Sequence, residues 1–304
     1  MGLFSKEKPK AAQPQSQEEP ELDPIVRPGG VFMIKLLMEE ACPMPEAEEM
    51  ERVLSAHLGK IEPFGARDHT ASYAAWDYPA QFKDASVPVQ LAIHACEPFQ
   101  AEDIDEMQRS QMWACMEQRD SILSQCRHAV LAHDMLGGGL PMQSRANLLM
   151  DFLEALVELY PGCQAVYCIN SGKLILAETV RQHSAEGLER YIQYIVNARF
   201  FNISGTQDDH VVDTLGLSLL YIEDLQYHFH GMDPNWVVGH AYSLASYLLH
   251  GEKPMEDGDS IDGITQGRLD PEVRWPCRYE EALIQPKRPV LDVEMGEYAA
   301  GRRG

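Results

Sequence analysis

Positive charge is scarce in this sequence: 25 Lys and Arg stand against 47 Asp and Glu, a formal net charge of −22 over 304 residues. A chain that binds nucleic acid gathers cations to neutralise phosphates, and the basic pairs Lys287–Arg288 and Arg302–Arg303 are too small for that. Nucleic acid is not an expected partner. Long apolar runs are missing as well, none approaching the ~20 residues of a membrane helix. The opening Met1-Gly2-Leu3-Phe4-Ser5-Lys6 leads into polar residues and prolines instead of a signal-peptide core, and Lys6 stands where a myristoylation motif wants Ser or Thr. Neither membrane association nor export is expected.

Cysteine is present but unorganised. The seven cysteines are odd in number and contain no CxxC pair, so a disulfide framework is not expected. Cys96 follows Leu91-Ala92-Ile93 and Cys168 lies within Ala165-Val166-Tyr167-Cys168-Ile169, settings in which a reduced thiol behaves as a small hydrophobe. A reducing cytoplasm fits this usage. Catalytic signatures are equally thin: there is no GxSxG elbow, no Walker loop and no GxGxxG. Gly137-Gly138-Gly139 could expose backbone N–H groups to an anion, but contiguous glycines are better read as a tight turn.

What is there is globular composition, with 45% hydrophobic residues, enough for a sizeable core. Pro9, Pro14, Pro20, Pro24 and Pro28 among polar residues predict a disordered tail over 1–29. A strand over 31–38, a helix over 45–58 stopped by Gly59, strands over 69–76 and 87–95, a helix over 101–116 and a strand over 127–134 follow. This βαββαβ order is ferredoxin-like. Pro141 then opens a long helix with the stripe Leu149, Phe152, Leu153, Leu156 and Tyr160. Strands over 165–170, 174–179, 199–204 and 225–230 and a helix over 184–196 partly repeat the order. The best-marked helix has Asp233 as N-cap, Pro234 in its first turn, an apolar body over 236–249 and Gly251 beyond its end. Residues 252–273 read as an acidic, turn-rich stretch. The expected fold is α+β, as two tandem ferredoxin-like units over 30–140 and 141–293 joined by the long helix, with a flexible end over 294–304.

The segments Arg199-Phe200-Phe201-Asn202-Ile203-Ser204, Asp213-Thr214-Leu215-Gly216-Leu217, His228-Phe229-His230-Gly231-Met232-Asp233-Pro234-Asn235 and Tyr279-Glu280-Glu281-Ala282-Leu283-Ile284-Gln285-Pro286 resemble a bacterial family known only as a domain of unknown function, number 4261 in its series. The resemblance covers the C-terminal half best and implies no activity and no site residues.

Two kinds of chemistry compete. His228 and His230 are two apart, so on a strand their imidazoles share a face. With His210 and Asp208 completing the shell, Asp213 orienting a ligand or water and His240 nearby, they would make a Zn or Fe centre for a metal-dependent hydrolase. The other reading is an interaction surface made from one or two of Tyr73, Trp76, Tyr78, Tyr221, Tyr227 and Trp275, most of which are assigned to packing, with an acidic rim that steers the encounter with a basic protein. The preferred expectation is this second one: a cytoplasmic, non-catalytic protein-binding module, immunity- or adaptor-like.

Overall fold

A computed structural model describes residues 22–65, 69–206, 208–251 and 254–301; the first 21 residues of the expected tail lie outside them. Two sheets organise the chain. Sheet I has seven strands in the order β2-β3-β4-β5-β1-β6-β7, formed by β1 (Met33–Met38), β2 (Ile61–Pro63), β3 (Thr70–Gln81), β4 (Ser86–Pro98), β5 (His128–Met135), β6 (Ala165–Cys168) and β7 (Lys173–Leu176). Consecutive residues of β1, Leu36 and Leu37, are both fully buried, so the strand is covered on both faces. One face packs under α1 (Ala47–Leu58) and α4 (Met142–Leu159). The other, with Leu37, Ala165, Tyr167 and Leu174, packs under residues 99–126.

That second layer accounts for a departure from the ferredoxin-like arrangement. A ferredoxin-like unit would place β1 between β4 and β5, with both helices on one face. Here β5 lies between β4 and β1, antiparallel to each. The connection between β4 and β5 crosses to the face opposite α1, which lets β5 return beside β4. The helix expected over 101–116 is broken into α2 (Glu106–Ser110) and α3 (Met116–Gln125) with 3-10 turns between and before them. Asp105 restarts the chain as an N-cap, its carboxylate accepting from the Gln108 N–H at 2.8 Å. Nor do the later strands form a second unit of that kind, since β6 and β7 extend sheet I through β6–β1 pairing.

Sheet II has six strands in the order β11-β12-β13-β10-β9-β8. These are β8 (Asn197–Asn202), β9 (His210–Leu215), β10 (Asp224–Phe229), β11 (Ser260–Thr265), β12 (Arg268–Glu281) and β13 (Pro289–Val293). Two short helices, α5 (Ala177–Arg181) and α6 (Glu189–Tyr194), bridge from sheet I. The helix α7 (Pro234–His250) covers one face of sheet II. Its Asp233 cap accepts from Asn235 N at 2.9 Å and Gly251 closes it, as the sequence predicts. The fold is α+β, with one apolar cluster running from Phe32 to Met295 through both sheets. Among the described residues no helix is long and apolar enough to cross a membrane.

The stretch over 252–273, expected to be turns, contains most of a long hairpin. Thr265 pairs with Arg268 around Gln266 (φ 50°) and Gly267 (φ 75°), two successive left-handed residues that match the twist of the flanking strands. Pro271, Pro276 and Gly263 conceal these strands in the sequence, and a register shift between Asp262 and Gly263 accommodates Pro271.

Candidate functional site

The histidines separate by strand parity. In the β9–β10 ladder His210 lies opposite Phe229 and Val211 opposite His228, so His210 and His228 project from opposite faces of sheet II. The His210 ring lies between Phe200 and Phe229, 5.3 and 5.6 Å from their centroids. Its Nδ1 is 2.9 Å from Asn202 Oδ1 and its Nε2 3.4 Å from Asp208 Oδ1, and Asp208 also accepts from Gly231 N at 3.1 Å. On the far face His228 lies against Gly301, and Ala300 N donates to the His228 carbonyl at 2.9 Å. His230 follows the strand, its own N–H bonded to Tyr298 O at 2.9 Å. Only Asp208 and His210 of the expected centre are brought together. Among the described residues, no group of three or more His, Cys, Asp or Glu could hold a metal ion.

Asp213 belongs to something the sequence did not disclose. Its carboxylate is fully buried and accepts a bidentate pair from Arg199, with Nε–Oδ1 at 2.8 Å, and a third bond from Arg288 Nη2 at 2.8 Å. Arg288 also reaches Asp224 at 3.2 Å and the carbonyls of Thr214, Pro286 and Ile284 at 2.9, 2.9 and 3.2 Å. Arg199 adds the Gln285 carbonyl at 3.0 Å. Two cations and two carboxylates thus occupy one dry layer. The guanidinium N–H groups fasten the 282–288 loop over the face of sheet II opposite α7. Burial pushes the Asp224 carboxyl up to about 6, against the pull of Arg288. With its oxygens engaged by guanidinium donors, Asp213 acts as an anchor.

His240 is a second structural histidine. It sits on α7 at 4% exposure, its Nε2 2.8 Å from the Asp262 carbonyl and its Nδ1 2.9 Å from the Tyr227 hydroxyl. The carbonyl can only accept, so Nε2 carries the proton and Nδ1 accepts from Tyr227. Helix and β11 are thereby joined through a neutral imidazole, and burial lowers its pKa below the ordinary 6.5. Below pH 6.5 the unfolded chain takes up a proton that the folded one refuses, so this bridge's contribution, present at neutral pH, is lost on acidification. Replacing His240 by Gln should cost about 1–3 kcal/mol at pH 7.5. The gap between wild type and variant should narrow as pH falls below 6.5. Urea unfolding of both proteins across pH 7.5 to 5 measures it, and a gap that stays constant would mean that His240 is not held neutral.

On this joined surface lies the strongest candidate for recognition. A cavity of 240 Å³ lined by His240, Leu244, Tyr247, Ile261 and Leu269 separates α7 from the β11–β12 ribbon. A second of 330 Å³, lined by Tyr221, Leu248 and Tyr279, adjoins it at Met255. Tyr247 is 64% exposed and Leu269 58%. Trp236 (41% exposed) lies against Gly267 at the ribbon tip, where an added Cβ would be 2.8 Å from the indole nitrogen. The ribbon and the turn that leads into it carry Glu256, Asp257, Asp259, Asp262, Asp270, Glu272, Glu280 and Glu281 against only Arg268, Arg274 and Arg278. Of the six aromatic candidates, Tyr221 and Trp76 are exposed (56% and 45%). Tyr73, Tyr227 and Trp275 are core residues, and Tyr78 is tied to Asp151 at 2.9 Å. Tyr247 and Leu269 were missed. A solvent-facing Tyr in the apolar run 236–249 was the signal available for the first, and the second lay in a strand not expected.

The glycine turn forms a 3-10 turn over Gly137–Gly139. Its glycines are packed closely on one side, where added Cβ atoms would meet the Asp134 carboxylate, the Gly29 carbonyl and the Gln81 backbone. Beneath it Arg145, 1% exposed, pairs with Asp134 at 3.5 Å.

Residues 213–294, in the C-terminal half of the chain, match the family described as a domain of unknown function (DUF4261). The match runs from Asp213 through β10, α7 and the acidic ribbon to the end of β13. No curated protein and no solved structure matches the chain.

Proposed function

We propose that this chain is a non-catalytic protein-binding module whose α7–ribbon groove takes a basic segment of another protein, its aliphatic side chains against Tyr247 and Leu269 and its cations against the ribbon carboxylates. The observation that carries this reading is the exposed apolar strip of Trp236, Tyr247 and Leu269 beside an acidic ribbon. An apolar centre with a charged rim gives an interface affinity from the first and partner choice and encounter rate from the second. A reducing cytoplasm suits its seven free thiols.

The test is photo-crosslinking in native cells, with a benzophenone amino acid at position 247 and, as control, at Glu117 on the remote face of sheet I. A discrete adduct to one basic protein is expected from position 247 alone. The exposed pair Tyr247→Asp and Leu269→Asp should weaken binding of that protein by about 10-fold or more, equivalent to about 1.4 kcal/mol. Asp270→Lys with Glu272→Lys should chiefly slow association and flatten its salt dependence. No adduct at 247, or equal adducts at both positions, would reject the groove as the interface.

A further inference from the structure

The α7–ribbon groove continues toward the first described residues of the chain. Leu22 and Asp23 line a concavity of 750 Å³ together with Tyr279, Glu280 and Glu281. Tyr279 also lines the 330 Å³ cavity beside Leu248, which meets the 240 Å³ cavity at Met255. Three adjoining hollows therefore run from Leu22, past Tyr279 and Met255, into the groove. Carboxylates border them, Glu223 in the middle section and Glu280 and Glu281 in the outer one. The cations nearby are already engaged: Lys287 with Glu281 at 3.3 Å, Arg274 with Asp262, and Arg288 with the buried Asp213 and Asp224. Among the described residues no ion pair reaches Glu223 or Glu280.

Outside the described residues, the sequence holds a complement to this track. Leu3 and Phe4 are followed by Lys6, Lys8 and Lys10 against Glu7 alone, in a chain of net charge −22. Residues 11–21 link this basic stretch to Leu22. At ~3.3 Å per residue the link reaches up to ~36 Å, whereas the 17 residues of α7 rise only ~25 Å. We infer that residues 3–10 of this chain are a resident ligand of the α7–ribbon groove, with Leu3 and Phe4 against Tyr247 and Leu269 and the lysines along the bordering carboxylates. The inference rests on the groove being a site for a basic segment, and adds that the chain carries such a segment itself. Charge complementarity favours this seat over the rest of the surface, and tethering sets the segment at a local concentration on the order of mM. An outside partner must displace it, so the segment sets the threshold of affinity above which a partner is bound.

The experiment places the benzophenone amino acid at position 4 of the purified full-length chain, irradiates it over a range of protein concentrations and maps the adduct by mass spectrometry. An intrachain adduct on α7 or the ribbon is expected, with a yield independent of concentration. Lys6→Glu, Lys8→Glu and Lys10→Glu together should lower that yield. In a second arm a fluorescent peptide of residues 1–12 is titrated against wild type and a full-length Leu3→Asp, Phe4→Asp variant. The variant should bind it ~10-fold or more tightly than wild type, because the tethered competitor is gone. Adducts on sheet I, adducts between chains that grow with concentration, or a yield indifferent to the lysine substitutions would overturn the inference. Equal affinity of both proteins for the peptide would overturn it too, while leaving the groove a site for basic segments. Binding to neither, with no partner captured at position 247, would remove the groove reading and this inference together.

Discussion

Replacing Arg288 by Ala should destabilise the protein by about 3–5 kcal/mol, because it leaves the carboxylates of Asp213 and Asp224 buried with a single guanidinium between them. It also orphans the carbonyls of Thr214, Ile284 and Pro286 that now accept from Arg288. Arg288→Lys should recover only part of this, since an ammonium cannot reproduce the fork that reaches both carboxylates. The pH dependence distinguishes a charge effect from a packing effect. Arg288 is the strongest influence lowering the Asp224 pKa from a buried position already pushed up to about 6, so its removal raises that pKa further. The folded variant then holds a proton that the unfolded chain, near 3.8, does not. A raised folded pKa gives stability that is present at low pH and lost as pH rises through it. The variant's deficit should therefore be largest near pH 8 and shrink toward pH 5. Chemical denaturation of wild type and variant at both ends of that window would show it. A deficit independent of pH would mean that volume, not charge, sets the cost.

This network rests on contacts that no local stretch of the sequence encodes. Local signals served well. The Asp233 cap, Pro234 and Gly251 delimit α7, the stripe from Leu149 to Tyr160 places α4, and an apolar run places β1. Non-local pairing was out of reach. Arg288 meets Asp213 across 75 residues of chain, and the strand order of sheet I depends on which face residues 99–126 cover, not on any one element. A usable signal did exist. Arg199, Asp213 and Asp292 each interrupt a strand-like apolar run, in Ala198-Arg199-Phe200, Val212-Asp213-Thr214 and Leu291-Asp292-Val293. Charged residues at core positions are rarely buried unless paired, so three of them predict a buried network even without naming the partners. The histidine cluster failed to assemble for the complementary reason. Residue type and spacing were right for ligands, but the ladder register set His210 and His228 on opposite faces, and register is a property of two strands.

Trp275→Ala should be the other large loss, about 3–5 kcal/mol. The indole is 2% exposed on β12, and its centroid is 5.1 Å from that of His240 on α7. It fills the angle between helix and ribbon so closely that a Cβ added at Gly263 would come within 2.7 Å of its ring. Truncation therefore removes more than transfer free energy, since β11 cannot close over the space without breaking the His240–Asp262 bond that spans the same gap. Two consequences separate this from generic core damage. First, His240→Gln and Trp275→Ala should be strongly non-additive in a double-mutant cycle, because each deletes the support of the other. Second, the damage should be local before it is global. Hydrogen exchange in β11 and β12 should accelerate in Trp275→Ala while β1 and β5 of sheet I keep their protection. Partner binding through the groove should then fall with ribbon order even at temperatures where the rest of the chain stays folded. Additive losses, or exchange that rises uniformly through both sheets, would show instead that the ribbon and sheet I unfold as one cooperative unit.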